Sequence, residues 1–177
     1  ARAALWTLRN NMSDTNELIS IIASMSGEGN LRVEENLGEG FVRLRVSEAE
    51  RRQAKHDIQH VEDIVIEMLR NARDAGATRI YVATAKEEGT RSLLFLDNGC
   101  GVPEDMRERI FDARVTSKLE SMKMDRWGVH GRGMALFSIR QNVDDVEVVA
   151  SGKDLGSSFK VLVNTEVLNE RADQSTW

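Results

Sequence analysis

Apolar residues recur at helical spacing over the stretch from Ser47 to about Arg73. Ser47 followed by Glu50 is the signature of a capping box, which predicts that a helix begins here. Gly76 lies just beyond the last apolar position and would end the helix. The pattern therefore predicts one long amphipathic helix. Its apolar positions are Ile58, Val61, Ile64, Val65, Met68 and Leu69.

Two shorter segments, residues 14–25 and 133–141, have the same helical spacing. Pro103 suits the first turn of a further short helix that would run through Ile110. The polar residues 112–130 have no clear period, which is typical of a functional loop or a disordered one.

The sequence predicts five strands, of which residues 41–46 alternate apolar and basic residues and the others are strand-like segments next to turns. Residues 31–40 are predicted to be rich in turns, and the polar tail from Asn164 is expected to fray. The last four strands fall into two hairpins, which favours a mixed, mostly antiparallel sheet over a doubly wound one. Helices on one face of such a sheet give a two-layer α/β sandwich of the α+β type. The predicted strands cover residues 41–46, 79–84, 92–97, 143–150 and 158–163.

Composition and charge indicate an ordinary soluble domain. The chain has 177 residues, of which 41% are hydrophobic and 30% charged. The formal net charge of −5 disfavours broad, nonspecific nucleic-acid binding, because that needs a basic surface. Cys100 is the only cysteine, which excludes an internal disulfide and fits a reducing compartment. No membrane-length apolar run or signal peptide is visible, so we expect a cytoplasmic protein.

The predicted long helix carries Glu67 and Asn71 one turn apart on the same face. A carboxamide oxygen suits Mg²⁺, which usually keeps several waters and shares the phosphates of a substrate. A carboxylate one turn away can orient or deprotonate a water that attacks a terminal phosphate. The same pair also fits a solvated helix surface without a chemical role, so spacing alone does not decide.

Asp97 ends an apolar strand and enters the turn Asn98-Gly99-Cys100-Gly101. A carboxylate at a strand end can accept a hydrogen bond from an adenine amino group. Gly99 and Gly101 would let the backbone approach the base closely. The alternative is a plain turn, because these residues are also strong turn formers. Cys100 is then a small buried hydrophobe.

A glycine segment from Gly128 to Gly133 precedes the last predicted helix. Its backbone amides and the helix N-terminus could bind an anion such as phosphate. The alternative is a flexible linker, since an isolated G-x-x-G-x-G pattern is weak evidence. The upstream sequence Thr116-Ser117-Lys118 could supply a cation to the same phosphate.

Taken in order, these clusters resemble the motifs of the GHKL ATPase superfamily. The series is E-x-x-x-N-A-x-D-A-G-A from Glu67, D-x-G-x-G from Asp97 and G-x-x-G-x-G from Gly128. Members include type II topoisomerase ATPase subunits, Hsp90-type chaperones, histidine kinases and the MutL mismatch-repair proteins. Among these, the chain most resembles the MutL proteins. The resemblance covers about residues 58–163 and implies a Bergerat fold, in which ATP lies between a helix and a lid.

The resemblance implies a role for each matching residue. Glu67 would be the catalytic general base, and Asn71 would bind Mg²⁺. Asp97 would read the adenine amino group, and Ser157 would help to hold adenine through water. A mobile lid over about residues 112–133 would wrap the phosphates. The implied ATP-binding residues are Asn71, Asp74, Ala75, Asp97, Gly99, Gly101, Val102, Thr116, Ser117, Lys118, Gly128, His130, Gly131, Arg132, Gly133, Met134 and Ser157.

The resemblance also suggests a division of the chain. Residues 51–165 would form the ATP-binding domain, residues 166–177 a C-terminal tail, and residues 1–50 a helix and strand of uncertain role. His130 and Met134 stand where the MutL loop usually has phenylalanine and glutamate, which leaves the detailed role of this loop open. The chain begins at Ala1 without a methionine, which fits either a fragment or a processed chain.

Three functions remain open within the superfamily. The favoured one is slow ATP hydrolysis that gates a protein partner or a homodimer, and Glu67 motivates it. The second is the catalytic domain of a sensor histidine kinase, which the compact size motivates. The third is a switch that binds ATP without chemistry. It is motivated by the absence of the phosphate-contacting lysine that hydrolysing members often take from a following domain.

Overall fold

The computed structural model describes residues 33–117, 124–125, 128–129 and 133–172. The chain forms two compact units, one of residues 1–46 with 114–132 and the other of residues 47–113 with 133–177. The helix predicted for residues 14–25 lies outside the described residues. The predicted domain boundaries stay a prediction.

The first unit contains a small antiparallel sheet. Strands β1 (Val33–Gly38) and β2 (Phe41–Leu44) form a hairpin, and β2 also pairs with β5 (Val115–Thr116). The prediction that residues 31–40 are rich in turns is therefore wrong for most of this stretch. The strand is hard to recognise because only Leu37 of β1 is buried, so the usual alternation of apolar residues is missing.

Short elements occupy two stretches that the sequence predicts differently. The residues after Pro103 form two 3-10 turns, Glu104–Met106 and Arg109–Phe111, instead of one short helix. In the first unit, the predicted loop contains the paired two-residue strands β6 (Met124–Asp125) and β7 (Gly128–Val129).

The second unit is built on a four-stranded sheet. Its strands are β3 (Ile80–Glu87), β4 (Thr90–Asp97), β8 (Asp145–Gly152) and β9 (Gly156–Asn164), in the spatial order β3-β4-β9-β8. The first two strands form one hairpin, the last two form another, and β4 pairs with β9. Every pairing among these four strands is antiparallel, which confirms the predicted mostly antiparallel sheet.

This sheet buries one face and exposes the other. Leu93 and Phe95 of β4 are only 3% and 4% exposed, and alternate residues of β9 are buried beside them. On the opposite face, Tyr81 and Leu96 are 64% and 41% exposed. The buried apolar residues of the helices supply the second layer of the core. The predicted two-layer arrangement is confirmed.

Three helices complete the second unit. Helix α1 (Glu48–Asp57) begins with the predicted capping box, and α3 (Ala135–Asn142) matches the last predicted helix. Helix α2 (Val61–Asp74) ends just before Gly76, whose φ is +76°. The prediction of one helix over residues 47–73 is wrong, because α1 and α2 are separate. None of the described helices has the length and apolar character needed to cross a membrane.

A local cap breaks the predicted long helix. The Asp63 carboxylate accepts hydrogen bonds from the backbone N–H groups of Gln59 and His60, both at 3.0 Å. These bonds replace the intrahelical ones that a continuous helix would make. Burial disfavours the ionised form of Asp63, but the two N–H groups and the charge of Arg171 outweigh it and lower the pKa of this carboxyl.

The described residues after β9 are bonded to the rest of the second unit, not frayed as predicted for the tail. The Val61 N–H, at the start of α2, donates to the Asn169 carbonyl at 3.1 Å. Glu170 accepts from Lys86 at 2.9 Å and from Arg91 at 2.6 Å. These two hydrogen bonds lower the pKa of Glu170.

Candidate functional site

The end of α2 meets the loop that follows β4. The Cys100 N–H donates to the Ala75 carbonyl at 2.9 Å. The Cys100 residue is exposed, so the expectation of a small buried hydrophobe is wrong. A Cβ added at Gly99 would lie 2.8 Å from that same carbonyl oxygen, so only glycine fits this approach. The first two motif clusters, which are far apart in sequence, are therefore directly joined.

Asn98 fixes the same loop from its other side. Its side-chain oxygen accepts from the backbone N–H groups of Thr78 and Arg79 at 2.9 and 2.8 Å. Its amide group donates to the Thr78 hydroxyl at 3.0 Å. Sequence reasoning treated Asn98 only as a turn residue. Its position beside Asp97 was the available signal, but its partners are about 20 residues away.

Asp97 closes the loop with one carboxylate oxygen. Its Oδ1 accepts from the Gly99 N–H at 2.8 Å, which is the geometry of an Asx turn. No described residue donates a hydrogen bond to its second oxygen, and the side chain is half-buried. One carboxylate oxygen therefore remains available to a ligand.

Three polar residues form a row across the end of the four-stranded sheet. In the strand register, Asp97 of β4 is paired with Ser157 of β9, and Ser157 with Ser151 of β8. Cross-strand partners share one face of a sheet, so all three side chains lie on the helix-facing side. The adjacent row toward the core contains Phe95 and Phe159, which are buried. The apolar core thus ends at a polar edge.

Ser151 lies at the β8 end of this polar row, and sequence reasoning missed it. Its hydroxyl accepts from the Val102 N–H at 2.7 Å, donates to the Gly156 carbonyl at 3.0 Å and lies 3.1 Å from the Ser157 hydroxyl. The Ser151 carbonyl accepts from the guanidinium of Arg107. Its place just before the predicted turn gave no sign of these contacts.

Two glycines allow the loop after β4 to pack against the β8–β9 turn. Gly101 has φ of +74°, and a Cβ there would lie 1.9 Å from the carbonyl oxygen of Gly152. Gly156 has φ of +80°, and its Cβ would lie 2.0 Å from the carbonyl oxygen of Asp97. Gly101 is thus required for contact between two backbone segments. This role differs from the predicted one, in which Gly101 lets the backbone approach a base.

Helix α2 presents the predicted Glu67 and Asn71 one turn apart. The Glu67 carboxylate is 26% exposed and forms an ion pair with Arg70. The Nδ2 atom of Asn71 is buried and has no hydrogen-bond partner among the described residues. Because leaving such a group unpaired costs about 1–3 kcal/mol, it marks a place where a ligand can supply an acceptor.

The remaining predicted residues are distributed as follows. Asp74 pairs with Arg73 near the end of α2. The Met134 carbonyl accepts the Ser138 N–H at 2.7 Å at the start of α3, and Gly133 precedes it with φ of +68°. In the first unit are Thr116, which is buried, Ser117, which is exposed, and Gly128 of β7. Outside the described residues lie Lys118, His130, Gly131 and Arg132.

The residues of this site can be compared with the ligands that a divalent cation requires. Among the described residues, no three His, Cys, Asp or Glu side chains cluster in a way that could hold a metal. The carboxamide oxygen of Asn71 is a hard donor of the kind that Mg²⁺ prefers, and the Nδ2 of the same group has no hydrogen-bond partner among the described residues. This combination fits Mg²⁺, which takes few protein ligands and fills its shell with water and phosphate oxygens.

The chain is similar in sequence to curated DNA mismatch repair MutL proteins. It is 37% identical to MutL of Brucella abortus (strain S19) over 107 residues, which is 60% of this chain and 17% of that protein. It is 40% identical to MutL of Heliobacterium modesticaldum over 86 residues, which is 46% of this chain and 13% of that protein. The chain thus spans less than a fifth of the length of these relatives.

Among solved structures, the catalytic domain of the histidine kinase ThkA is similar at 17% identity and a TM-score of 0.40, covering 84% of this chain and 91% of that one. The family model described as histidine kinase-, DNA gyrase B- and HSP90-like ATPase matches residues 58–175, about two thirds of the chain. The matched residues include α2, the loop after β4 and the polar row. The chain therefore belongs to the family of histidine kinase-, DNA gyrase B- and HSP90-like ATPases.

Proposed function

We propose that this chain binds Mg-ATP between α2 and the helix-facing side of the four-stranded sheet. Two observations support the proposal. The first is the polar row that ends the apolar core. The second is the carboxamide of Asn71, whose Nδ2 has no partner among the described residues, on the helix whose end is hydrogen-bonded to the loop after β4. Together they supply acceptors for a base and an oxygen donor for a cation.

The base is bound at the polar row. The free oxygen of Asp97 accepts a hydrogen bond from the exocyclic amino group of adenine, while its other oxygen keeps the loop closed through Gly99. Val102 is 9% exposed and offers an apolar contact at the edge of this loop. A carboxylate that bonds an amino group at a buried edge contributes more than a neutral acceptor would.

The phosphates extend toward α2. Asn71 offers its carboxamide oxygen to the cation, and its Nδ2 can donate to a phosphate oxygen or a bound water. When bound, Mg²⁺ neutralises the charge of the phosphates. By family likeness, Gly128, Gly131 and Gly133 donate backbone N–H groups to the phosphates within a lid over about residues 112–133, and this assignment rests on sequence.

Glu67 is the proposed general base for slow hydrolysis. It lies one helical turn before Asn71, and a carboxylate there can take a proton from a water in line with the terminal phosphate. Arg70 engages one of its oxygens. The second oxygen, or release of Arg70 on nucleotide binding, provides the basic site.

A second candidate is a switch that binds ATP without turnover, and the Arg70–Glu67 ion pair favours it. If the pair persists in the complex, the carboxylate holds the arginine in place and does not activate water. The name of the MutL relatives refers to mismatch repair, and the match covers only a small part of them. The proposed function therefore concerns nucleotide binding and hydrolysis. Gating of a protein partner or of a homodimer is a separate proposal.

The proposal is tested by incubating the chain with Mg²⁺ and γ-labelled ATP and following the label. Wild type and the control Glu87→Ala, an exposed carboxylate on β3, should release free phosphate. Glu67→Ala should bind ATP but release at least about a hundredfold less. Bound ATP without release would support the switch, and label on a protein histidine would support a kinase. Absence of ATP binding would refute the proposal.

A further inference from the structure

The Ser151 hydroxyl has three hydrogen-bond neighbours but only one proton. The Val102 N–H can only donate to it, and the Gly156 carbonyl can only accept from it. The third neighbour, the Ser157 hydroxyl, can do either. All three bonds form only when the Ser151 proton goes to Gly156 and the Ser157 proton goes to Ser151.

This proton placement fixes what Ser157 offers to a ligand. Its single proton is committed to Ser151, so its oxygen retains only lone pairs for other partners. Asp97, directly opposite on β4, offers a carboxylate oxygen, which is also an acceptor. Both polar groups on this edge of the row therefore accept and do not donate.

We propose that Ser151 is a positioning residue that sets the hydrogen-bond polarity of Ser157 and so makes the site select 6-aminopurine over 6-oxopurine nucleotides. The inference rests on the proposed nucleotide binding. It adds Ser151, which affects the ligand only by fixing the direction of the Ser157 proton. An amino group at the purine 6-position donates to acceptors, whereas an oxo group there faces them with its own lone pairs. A site that leaves polar groups unpaired rejects the mismatched ligand strongly.

The test is the ratio of ATP affinity to inosine triphosphate affinity, measured by calorimetry with Mg²⁺. These two nucleotides differ in the group at the purine 6-position and in the proton that the oxo form carries on N1, and the inference concerns the 6-position. In Ser151→Ala the Ser157 proton is released and can be donated to an oxo group, so the preference for ATP should fall about five- to tenfold. Ser151→Thr keeps the hydroxyl and should keep the preference. Ser158→Ala, on the opposite face of the same strand, is the matched control and should also keep it.

A double-mutant comparison separates polarity from general packing. Ser157→Ala removes the hydroxyl whose direction is at issue and should lower the ATP preference by itself. Adding Ser151→Ala to it should then change the ratio no further. The inference is overturned if Ser151→Ala weakens both nucleotides equally, or if Ser157→Ala leaves the ratio unchanged. A wild-type chain that binds ATP without preferring it also overturns the inference alone, whereas one that binds neither nucleotide overturns the proposed function as well.

Discussion

Replacing Gly101 by alanine tests whether the loop after β4 and the β8–β9 turn form one unit. Gly101 and Gly76 have nearly the same backbone conformation, with φ of +74° and +76°. A Cβ at Gly76 would meet nothing within 4 Å, but at Gly101 it would lie 1.9 Å from the Gly152 carbonyl oxygen. The two substitutions therefore share backbone strain and differ in the contact.

The shared strain of a left-handed alanine is about 1–2 kcal/mol. At Gly101 the separation between the Cβ and the Gly152 oxygen must also increase from 1.9 Å to at least 3.4 Å to reach an ordinary contact distance. That movement separates the segments joined by the Asp154–Cys100 bond of 2.8 Å and the Val102–Ser151 bond of 2.7 Å. Each such bond contributes about 1 kcal/mol, so Gly101→Ala should cost roughly 2 kcal/mol more than Gly76→Ala.

The free energy of unfolding of both variants should be measured by urea denaturation, and their ATP affinity by calorimetry. Gly101→Ala should be the less stable variant and should bind ATP more weakly. Gly76→Ala should lose stability only through strain and keep its ATP affinity. Equal losses of stability in the two variants would refute the account of this contact.

Two further predictions follow from charged pairs. Arg70→Ala should raise ATP turnover several-fold, because Glu67 gains a free oxygen to accept a proton. The exposed control Arg52→Ala should leave turnover unchanged. Unchanged turnover in Arg70→Ala would show that the ion pair does not limit hydrolysis. Asp63 and Glu170 have folded pKa values below their ordinary 3.8 and 4.5. The stability they confer is therefore complete above about pH 5 and lost as the pH falls through those lowered values. Acid unfolding curves of Asp63→Asn with Glu170→Gln should be flatter than those of wild type over this range, and parallel curves would contradict the assignment.

The motif clusters and most of the strands could be predicted from sequence because they depend on local patterns. The spacing of Glu67 and Asn71 is a property of any helix, and the turn after Asp97 follows from its glycines. The continuous apolar run of β4 and the pattern of β9 identified these two strands. The capping box at Ser47 was equally local and is confirmed.

The features that sequence reasoning missed depend on side chains that do not follow the apolar periodicity, or on contacts between residues far apart in sequence. The break between α1 and α2 arises from Asp63, whose cap competes with a strong apolar period over the same residues. Strand β1 has no apolar alternation to detect. The polar row joins Ser151 to Val102, which is 49 residues away, so neither residue indicates the other before the hairpins pack.

In the proposed function, the polar row binds ATP through the carboxylate of Asp97. The most direct test of this claim is the calorimetric affinity of the chain for Mg-ATP in wild type and Asp97→Asn, with Asp145→Asn, an exposed carboxylate on β8, as the control. Asp97→Asn should weaken binding by about 1–3 kcal/mol, because its amide turns a donor toward the adenine amino group. The control should bind like wild type. Equal affinity of Asp97→Asn and wild type would contradict the account.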